Sequence, residues 1–511
     1  MKELAEIVKL VTFARITPIE NISHSGISGK MLALYTAILE GKVRTDNEAA
    51  ALIYGSAASD KKYKMLRKRL TEYLLQIVVQ YDFSKPLPQL AVAKDKCDRD
   101  IFAIKKLLAL GFYDTGVLLT EKLLKEARLW DYTEIEIACL KILRESAALD
   151  GDDQKYKEYA TALQAMILRF AAEDRAEEYC QLLESQLTPA ATENAIAEKA
   201  ANYLEDIAES LTQTPSDTLW MYYFRIKLLL MQLRHQYNDG LDVCRDAKAH
   251  LRRNHRFSTA TRRTEFTVGK MNCWLALKSY KEVIWQGKEC LTMYRSGGHN
   301  WHATQEIIFL AAMHSNNFEK AYEAYEAVVK HENHDILPDI LREKWMIFGA
   351  YLWVAFHLPG ENSVQLRENL LKTTDLRRIW QNTDAIGKEK AGLNAALQIA
   401  RLFCCIVEND KRQYIQRLKL LKQYTKRNFT DDTHHRLLLF VKLLRAPGED
   451  HEEDMSIYNE LQENPLTMEQ FIEGMEVLPY EMLWQRVLKV HNESDIKKTF
   501  KNLYLQSQTV E

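Results

Sequence analysis

The chain has 511 residues, with 69 Lys and Arg against 71 Asp and Glu and a formal net charge of −2. Hydrophobic residues make up 47% and charged residues 27%, the ordinary balance of a soluble globular protein, while 18 Gly and 10 Pro fall well below average usage of roughly 7% and 5%. Collagen-like and largely disordered chains are thereby excluded, a many-stranded β protein is disfavoured by the shortage of turn residues, and the length suits two to four domains or one long repeat array.

Near-neutral charge gives no global field to draw the chain onto nucleic acid or an acidic membrane, although local patches remain open. The segment Met1-Lys2-Glu3-Leu4-Ala5-Glu6 lacks the charged-then-apolar pattern of a signal peptide. No window reaches about 18 uninterrupted apolar residues, so no membrane span and no membrane partner are expected. Eight cysteines (Cys97, Cys139, Cys180, Cys244, Cys273, Cys290, Cys404 and Cys405) form no C-x-x-C pair. They read as free thiols used as small buried hydrophobes, which fits a reducing, cytoplasmic location.

Four helices are expected first, over 2–14, 28–40, 46–54 and 60–81, with a turn at Gly55–Ser59. Tyr63, Leu66, Leu70, Tyr73, Leu74, Ile77 and Tyr81 make one apolar stripe at helical period on the last of them. Lys61, Lys62, Lys64, Arg67, Lys68 and Arg69 place six cations within nine residues off that stripe. Short helix, turn and basic helix follow in the order a helix-turn-helix needs, which makes these six the candidate nucleic-acid-binding residues. The competing reading is a plain solvated face or one for an acidic partner. Lys85-Pro86-Leu87-Pro88 reads as a linker, because the residue before each proline is biased out of helix, and residues 1–90 are taken as an N-terminal helical module.

From about residue 96 helices of 15–20 residues alternate with tight turns, and Thr188-Pro189 and Asn464-Pro465 read as helix starts. Self-comparison finds a recurring unit of apolar helix end, polar turn, aromatic and second helix, with Tyr113, Tyr237, Tyr280, Phe318 and Tyr414 as the aromatics. Three residues after the aromatic stands Gly116, Gly240, Val283 or Ala321. A small residue there lets two helices approach closely while the aromatic plugs the turn, the logic of a hairpin that buries its remaining face by stacking on the next.

Asn316-Asn317-Phe318-Glu319-Lys320-Ala321-Tyr322-Glu323-Ala324-Tyr325 resembles the second helix of a tetratricopeptide repeat, with Phe318, Ala321 and Tyr325 in the matching places. The Trp/Leu/Gly pattern of the family's first helix is missing, Asn333 stands where the terminal proline belongs, and the period is about 40 against the family's 34. The resemblance covers roughly 96–445 and implies about eight hairpins in a right-handed superhelix that binds a peptide or protein in its groove, with no chemistry of its own. Residues 446–511, with an acidic run over Gly448–Asp454 and an apolar helical stretch from Pro465 to Val490, read as a C-terminal cap.

No P-loop, dinucleotide-binding, nucleophile-elbow or zincin motif occurs, so the expectation is a protein without catalytic residues or cofactor. His299, His302, His314, His331 and His334 cluster, and two of their spacings suit paired imidazoles, but both pairs fall at inter-helix turns, where tolerated polar residues are the simpler reading. Further basic patches lie at His250–Arg263 and Lys411–Arg427. The aromatic runs around Trp220–Phe224 and Trp345–Trp353 are too dense to face inward entirely, and serve either inter-repeat packing or partner contact. Trp220, Tyr223, Trp274 and Trp345 are the candidate anchors. The leading expectation is an all-α, superhelical solenoid acting as a scaffold or adaptor for a partner protein. The alternative is a nucleic-acid-binding regulator using the helix at 60–81. Self-association through an uncapped terminal hairpin stays open.

Overall fold

The computed structural model describes residues 1–13, 29–80, 89–187, 193–334, 337–357, 391–408, 410–429, 431–444, 451–464 and 476–493. Among them are 21 helices and no strand, so the fold is all-α. The chain divides into two compact units, Met1–Arg99 and Asp100–Glu511. The expected linker at 85–88, the prolines Pro189 and Pro465 and the terminal residues 494–511 lie outside the described residues.

The first unit holds α1 (Lys2–Phe13), α2 (Gly29–Leu39), α3 (Asp46–Tyr54) and α4 (Lys61–Gln80), each within one residue of its expected bounds. Thr45 caps α3 through a reciprocal box with Glu48, and Gly55 ends it at φ +63°, satisfying end groups that helices leave open. Leu4, Val8 and Val11 of α1, Leu34 and Ile38 of α2, and Ala49 and Ala50 of α3 close over Tyr63, Leu66, Leu70 and Leu74 of α4. The stripe read from the sequence is therefore the buried face from Tyr63 to Leu74, with Tyr73 and Ile77 half-buried at its margin; Tyr81 lies outside the described residues.

The second unit continues from α5 (Gln89–Ala109), which straddles the division, through α6 (Tyr113–Leu129), α7 (Thr133–Leu149), α8 (Asp153–Gln186), α9 (Glu193–Gln213), α10 (Asp217–Leu233), α11 (Tyr237–Arg253), α12 (Ala260–Ala276), α13 (Tyr280–Met293), α14 (His299–His314), α15 (Phe318–Val329), α16 (Asp339–His357), α17 (Ala391–Val407), α18 (Lys411–Asn428), α19 (Asp431–Leu443), α20 (His451–Glu463) and α21 (Tyr480–Glu493). From α6 through α16 each helix packs on its successor, and α8 also touches α10, as α12 does α14. That is a solenoid arrangement, and its core is divided into successive clusters instead of one centre.

One turn geometry recurs along this array. At the end of α10, His235 adopts φ +55°, its N–H donates to the Gln232 carbonyl at 3.0 Å and the next N–H, of Gln236, donates to Met231 at 2.8 Å. This is the paired bonding of a Schellman motif, and α11 starts one residue later at Tyr237. The same bonds surround Gly111, Asp131, Gly151, Lys278 and Asn316, all at positive φ. Gly111, Asp131 and Gly151 lie twenty residues apart, so two helices span the period of about 40 found by self-comparison. Aromatic matching missed the turns at Asp131 and Gly151 because α7 and α8 begin with Thr133 and Asp153.

Tyr414 departs from the expected alignment. α18 begins at Lys411 with Asp410 as its cap, and the Tyr414 N–H donates to Asp410 O, the bond that Gly116 makes to Phe112 and Gly240 to Gln236. Tyr414 thus occupies the small-residue place, buried, with its hydroxyl donating to Leu444 O at 3.2 Å. Tyr237 and Phe318 are buried at their turns as expected, but Tyr113 is 60% exposed and plugs nothing.

Where the small residue is glycine, contact explains it. A Cβ added at Gly240 would lie 2.9 Å from the Cys273 sulfur on α12 and 3.6 Å from Leu228 on α10. Towards the end of the array Arg436, 4% exposed, donates to the carboxylates of Glu476 and Glu481 and to the carbonyls of Leu461 and Asn464. His314 Nε2 donates to the Glu476 carbonyl at 2.7 Å, and Arg486 donates to Ala355 O at 2.9 Å. These bonds fold the segment 476–493 back onto α14, α16 and α19.

Three outcomes follow for stability. Gly240→Ala gains up to about 1 kcal/mol of helix propensity but overpacks against Cys273, so chemical denaturation will show a net loss of about 1–2 kcal/mol. Lys278→Gly relieves a left-handed non-glycine residue and will raise stability by about 0.5–1 kcal/mol. Burial depresses the His314 pKa to about 4, against the bond to the Glu476 carbonyl. The stabilisation from neutral His314 is complete above about pH 6.5, the unfolded value, and is lost as pH falls towards 4. Thermal melts across that window will show a fall that His314→Asn reduces.

Candidate functional site

Helices α8, α10 and α12 share one side of the array and line a cavity of about 350 Å³. Its floor is apolar: Cys180 and Leu183 come from α8, Leu228 from α10 and Phe266 from α12, all buried. Its rim is open, with Leu187 47% exposed and Leu229 half-buried. The Arg225 guanidinium crosses from α10 to both carboxylate oxygens of Glu265 on α12, with Nη2 to Oε2 at 2.8 Å. A two-pronged bond of this kind fixes orientation as well as charge. Burial pushes the Cys180 thiol up to about 12, so it lines the floor as a neutral, unreactive group. The cavity offers an apolar slot beside a fixed ion pair, which suits one large apolar side chain with polar backbone around it.

The expected anchors fall elsewhere. On α10 the cavity-lining residues are Arg225, Ile226, Leu228, Leu229 and Gln232, and at about 100° per residue Tyr223 lies on roughly the opposite face. Trp220 stacks on Phe224 at 5.6 Å and meets Tyr223 edge-on at 5.5 Å and His250 at 5.5 Å. Trp274 is half-buried beneath Lys270, whose ammonium sits 4.2 Å from the ring centroid. Trp345 is 1% exposed and packs against Phe309, Phe348 and Tyr325. Its expected anchor role is therefore replaced by a packing role, since no partner reaches a side chain enclosed on every side. The aromatic runs are mainly inter-helix packing. Trp285, which the sequence reading passed over, is 66% exposed. It lies off the buried stripe Val283–Gln286–Gly287–Cys290 of α13, the signal by which it is found.

On α4 all six expected cations are placed. Lys61, Lys62, Lys64, Lys68 and Arg69 are exposed and Arg67 is half-buried. Arg67 lies 3.5 Å from Asp46 and 3.9 Å from Glu3, and Lys68 lies 3.7 Å from Glu72. Lys61, Lys62, Lys64 and Arg69 form no ion pair among the described residues. Asp46 opens α3 and accepts the Tyr63 hydroxyl at 2.7 Å, locking α3 to α4. Burial opposes ionisation of Asp46, but the Tyr63 hydrogen bond, the bond from the Met1 ammonium at 2.9 Å and the Arg67 charge outweigh it and hold the carboxyl below its ordinary value.

The histidine pairs do meet, with His302 and His331 ring centroids 6.3 Å apart. His302 is not a solvated turn residue: it is buried in the first turn of α14. Burial first, and the neighbouring His331 and His334 next, hold its pKa below the usual imidazole value. No group of His, Cys, Asp or Glu among the described residues is arranged to hold a metal ion. In the second basic patch, His250 and Asn254 both bond Asp217, at 2.8 and 2.6 Å, so part of that charge is locally balanced. Comparisons of the chain with protein-family models, with curated proteins and with solved structures found no match.

Asp46 gives this region a pH signature. A depressed carboxyl stabilises the first unit above its unfolded pKa near 3.9, and that contribution is lost as pH falls through the lower folded value. Acid titration followed through tyrosine fluorescence will show this loss below about pH 4, and Asp46→Asn will remove it while lowering stability at neutral pH.

Proposed function

We propose that the chain is a non-catalytic scaffold or adaptor whose array of tetratricopeptide-like hairpins holds a segment of a partner protein against α8, α10 and α12. The observation that carries this reading is the cavity those helices share, with its apolar floor and its Arg225–Glu265 rim. Alternate helices line a common side because each hairpin stacks on the next, and a surface built that way extends along several repeats, as an elongated peptide requires. The tetratricopeptide-like reading is supported by Phe318, Ala321 and Tyr325, all buried, with the Tyr325 hydroxyl close against Gly349 of the next helix. A reducing, cytoplasmic setting is supported by eight free cysteines, all buried. Among the described residues no helix is long and apolar enough to cross a membrane.

Leu187→Arg and Leu229→Arg place charge in the slot from rim positions. Affinity capture with the wild-type chain and each variant in parallel, after nuclease treatment and a high-salt wash, will show a protein band retained by the wild type and reduced about tenfold or more by both, the effect of roughly 1.4 kcal/mol or above. An identical set of bound proteins in all three captures, with the variants folded by circular dichroism, would remove the groove from the account.

A further inference from the structure

We propose that the exposed face of α4 is a docking surface for duplex DNA, a second binding activity independent of the groove in the array. The first unit carries a local positive excess within a slightly negative chain: residues 1–80 hold twelve Lys and Arg against eight Asp and Glu. That excess is concentrated on the first nine residues of α4.

The cations are arranged around the helix, not merely along it. Taking the centre of the buried face Tyr63–Leu66–Leu70–Leu74 and about 100° per residue, Lys61, Met65 and Lys68 fall on the ridge opposite the core. Lys64 lies on one flank of that ridge, and Lys62 and Arg69 on the other. A helix seated in the DNA major groove, about 12 Å wide, faces base edges with its ridge and phosphates with both flanks. Lys61 to Arg69 spans nine residues, an axial rise of about 12 Å, so the flanking cations are spread over two turns of the helix, on the sides that face the two walls of the groove. The deep, narrow major groove of duplex RNA does not admit a helix in this way. An acidic polypeptide would need no cations on two opposed flanks.

The helix is also held rigidly for such a role. Gly55 N–H donates to Ala51 O at 2.9 Å, the Ala58 N–H donates to the Asn47 side chain at 3.1 Å and the Asp60 N–H donates to Ala57 O at 3.0 Å. Asp46 then ties α3 to Tyr63 and Arg67 of α4. Arg67 thereby serves the fold, which leaves Lys61, Lys62, Lys64 and Arg69 to the ligand, with Lys68 beside them in an exposed pair with Glu72. The α3–turn–α4 element is a short helix, a pinned turn and a longer basic helix, the order in which helix-turn-helix proteins present their reading helix.

The test uses the full chain and fluorescence anisotropy with a mixed-sequence DNA duplex, the RNA duplex of the same sequence, and poly-glutamate. Low-salt binding to DNA is expected, with log affinity falling against log salt by a slope of about −3 to −5, roughly −0.9 per phosphate neutralised. Lys62→Glu, Lys64→Glu and Arg69→Glu together will weaken binding by tenfold or more and flatten the slope. The milder Lys→Gln and Arg→Gln set at the same positions will do so in part, and circular dichroism will match the wild type in both. Reversal of exposed Arg412, Lys419 and Lys426 of α18 will leave affinity within about twofold, the behaviour of cations outside the contact. Absence of DNA binding at low salt would overturn the proposal, as would affinity unmoved by either set of α4 substitutions. RNA or poly-glutamate bound as tightly as DNA would assign the face to another class of ligand and overturn it equally.

Discussion

Two backbone hydrogen bonds across one left-handed residue close hairpin after hairpin in this protein, and the array depends on that constraint. In each, the carbonyls at the end of one helix are taken by the N–H groups of the turn, and the next helix starts one residue later. The return direction is thus set by the backbone, whatever the side chains at the turn. Gly111 and Gly151 reach φ > 0 without steric cost, whereas Asp131, His235, Lys278 and Asn316 are held there against it. At two of these turns the fourth residue of the second helix faces its partner at close range, Gly116 against Leu108 and Gly240 against Cys273, so that neither has room for a methyl group; at the turns of Asp131 and Gly151 the same place is taken by Glu136 and Tyr156.

The cavity rests on the stacking of the array. Of the described turns between α8 and α12 only the one at His235 has this geometry; α8 packs on α10, Arg225 of α10 pairs with Glu265 of α12, and the cavity opens between residues far apart in sequence such as Cys180, Arg225 and Glu265. At the other end of the array the constraint is electrostatic. Arg436 satisfies Glu476 and Glu481 while also donating to two carbonyls, so a buried charge is compensated on several sides, and removing a partner from such a group is strongly destabilising.

Local structure was legible in the sequence and tertiary placement was not. The bounds of α1 to α4 and the buried stripe of α4 could be read because capping residues and helical periodicity are local signals. The hairpin period was legible through Tyr237, Tyr280 and Phe318, which begin their helices. It failed for Tyr414, since an aromatic three residues further on carries the same composition but a different place in the turn. Trp345 was misread because a dense aromatic run says that something large must be packed, not whether a core or a partner does the packing. The cavity left no trace in sequence, since its lining comes from three helices whose nearest contributing residues are separated by a whole hairpin. Trp285 was legible in principle, by its offset from the stripe of α13, and was hidden by having no aromatic neighbours beside it.

The protein thus presents two surfaces of different chemistry, an apolar slot with a fixed ion pair in the array and a cationic helix face in the first unit. The most direct measurement of the scaffold account is site-specific photo-crosslinking in living cells. A photoreactive residue replaces Leu187 at the rim of the slot, or Arg245 on an exposed stretch of α11 as the comparison. The account predicts a discrete protein adduct from position 187 that is absent from position 245. Adducts of equal yield and pattern from both positions, or none from 187, would contradict it.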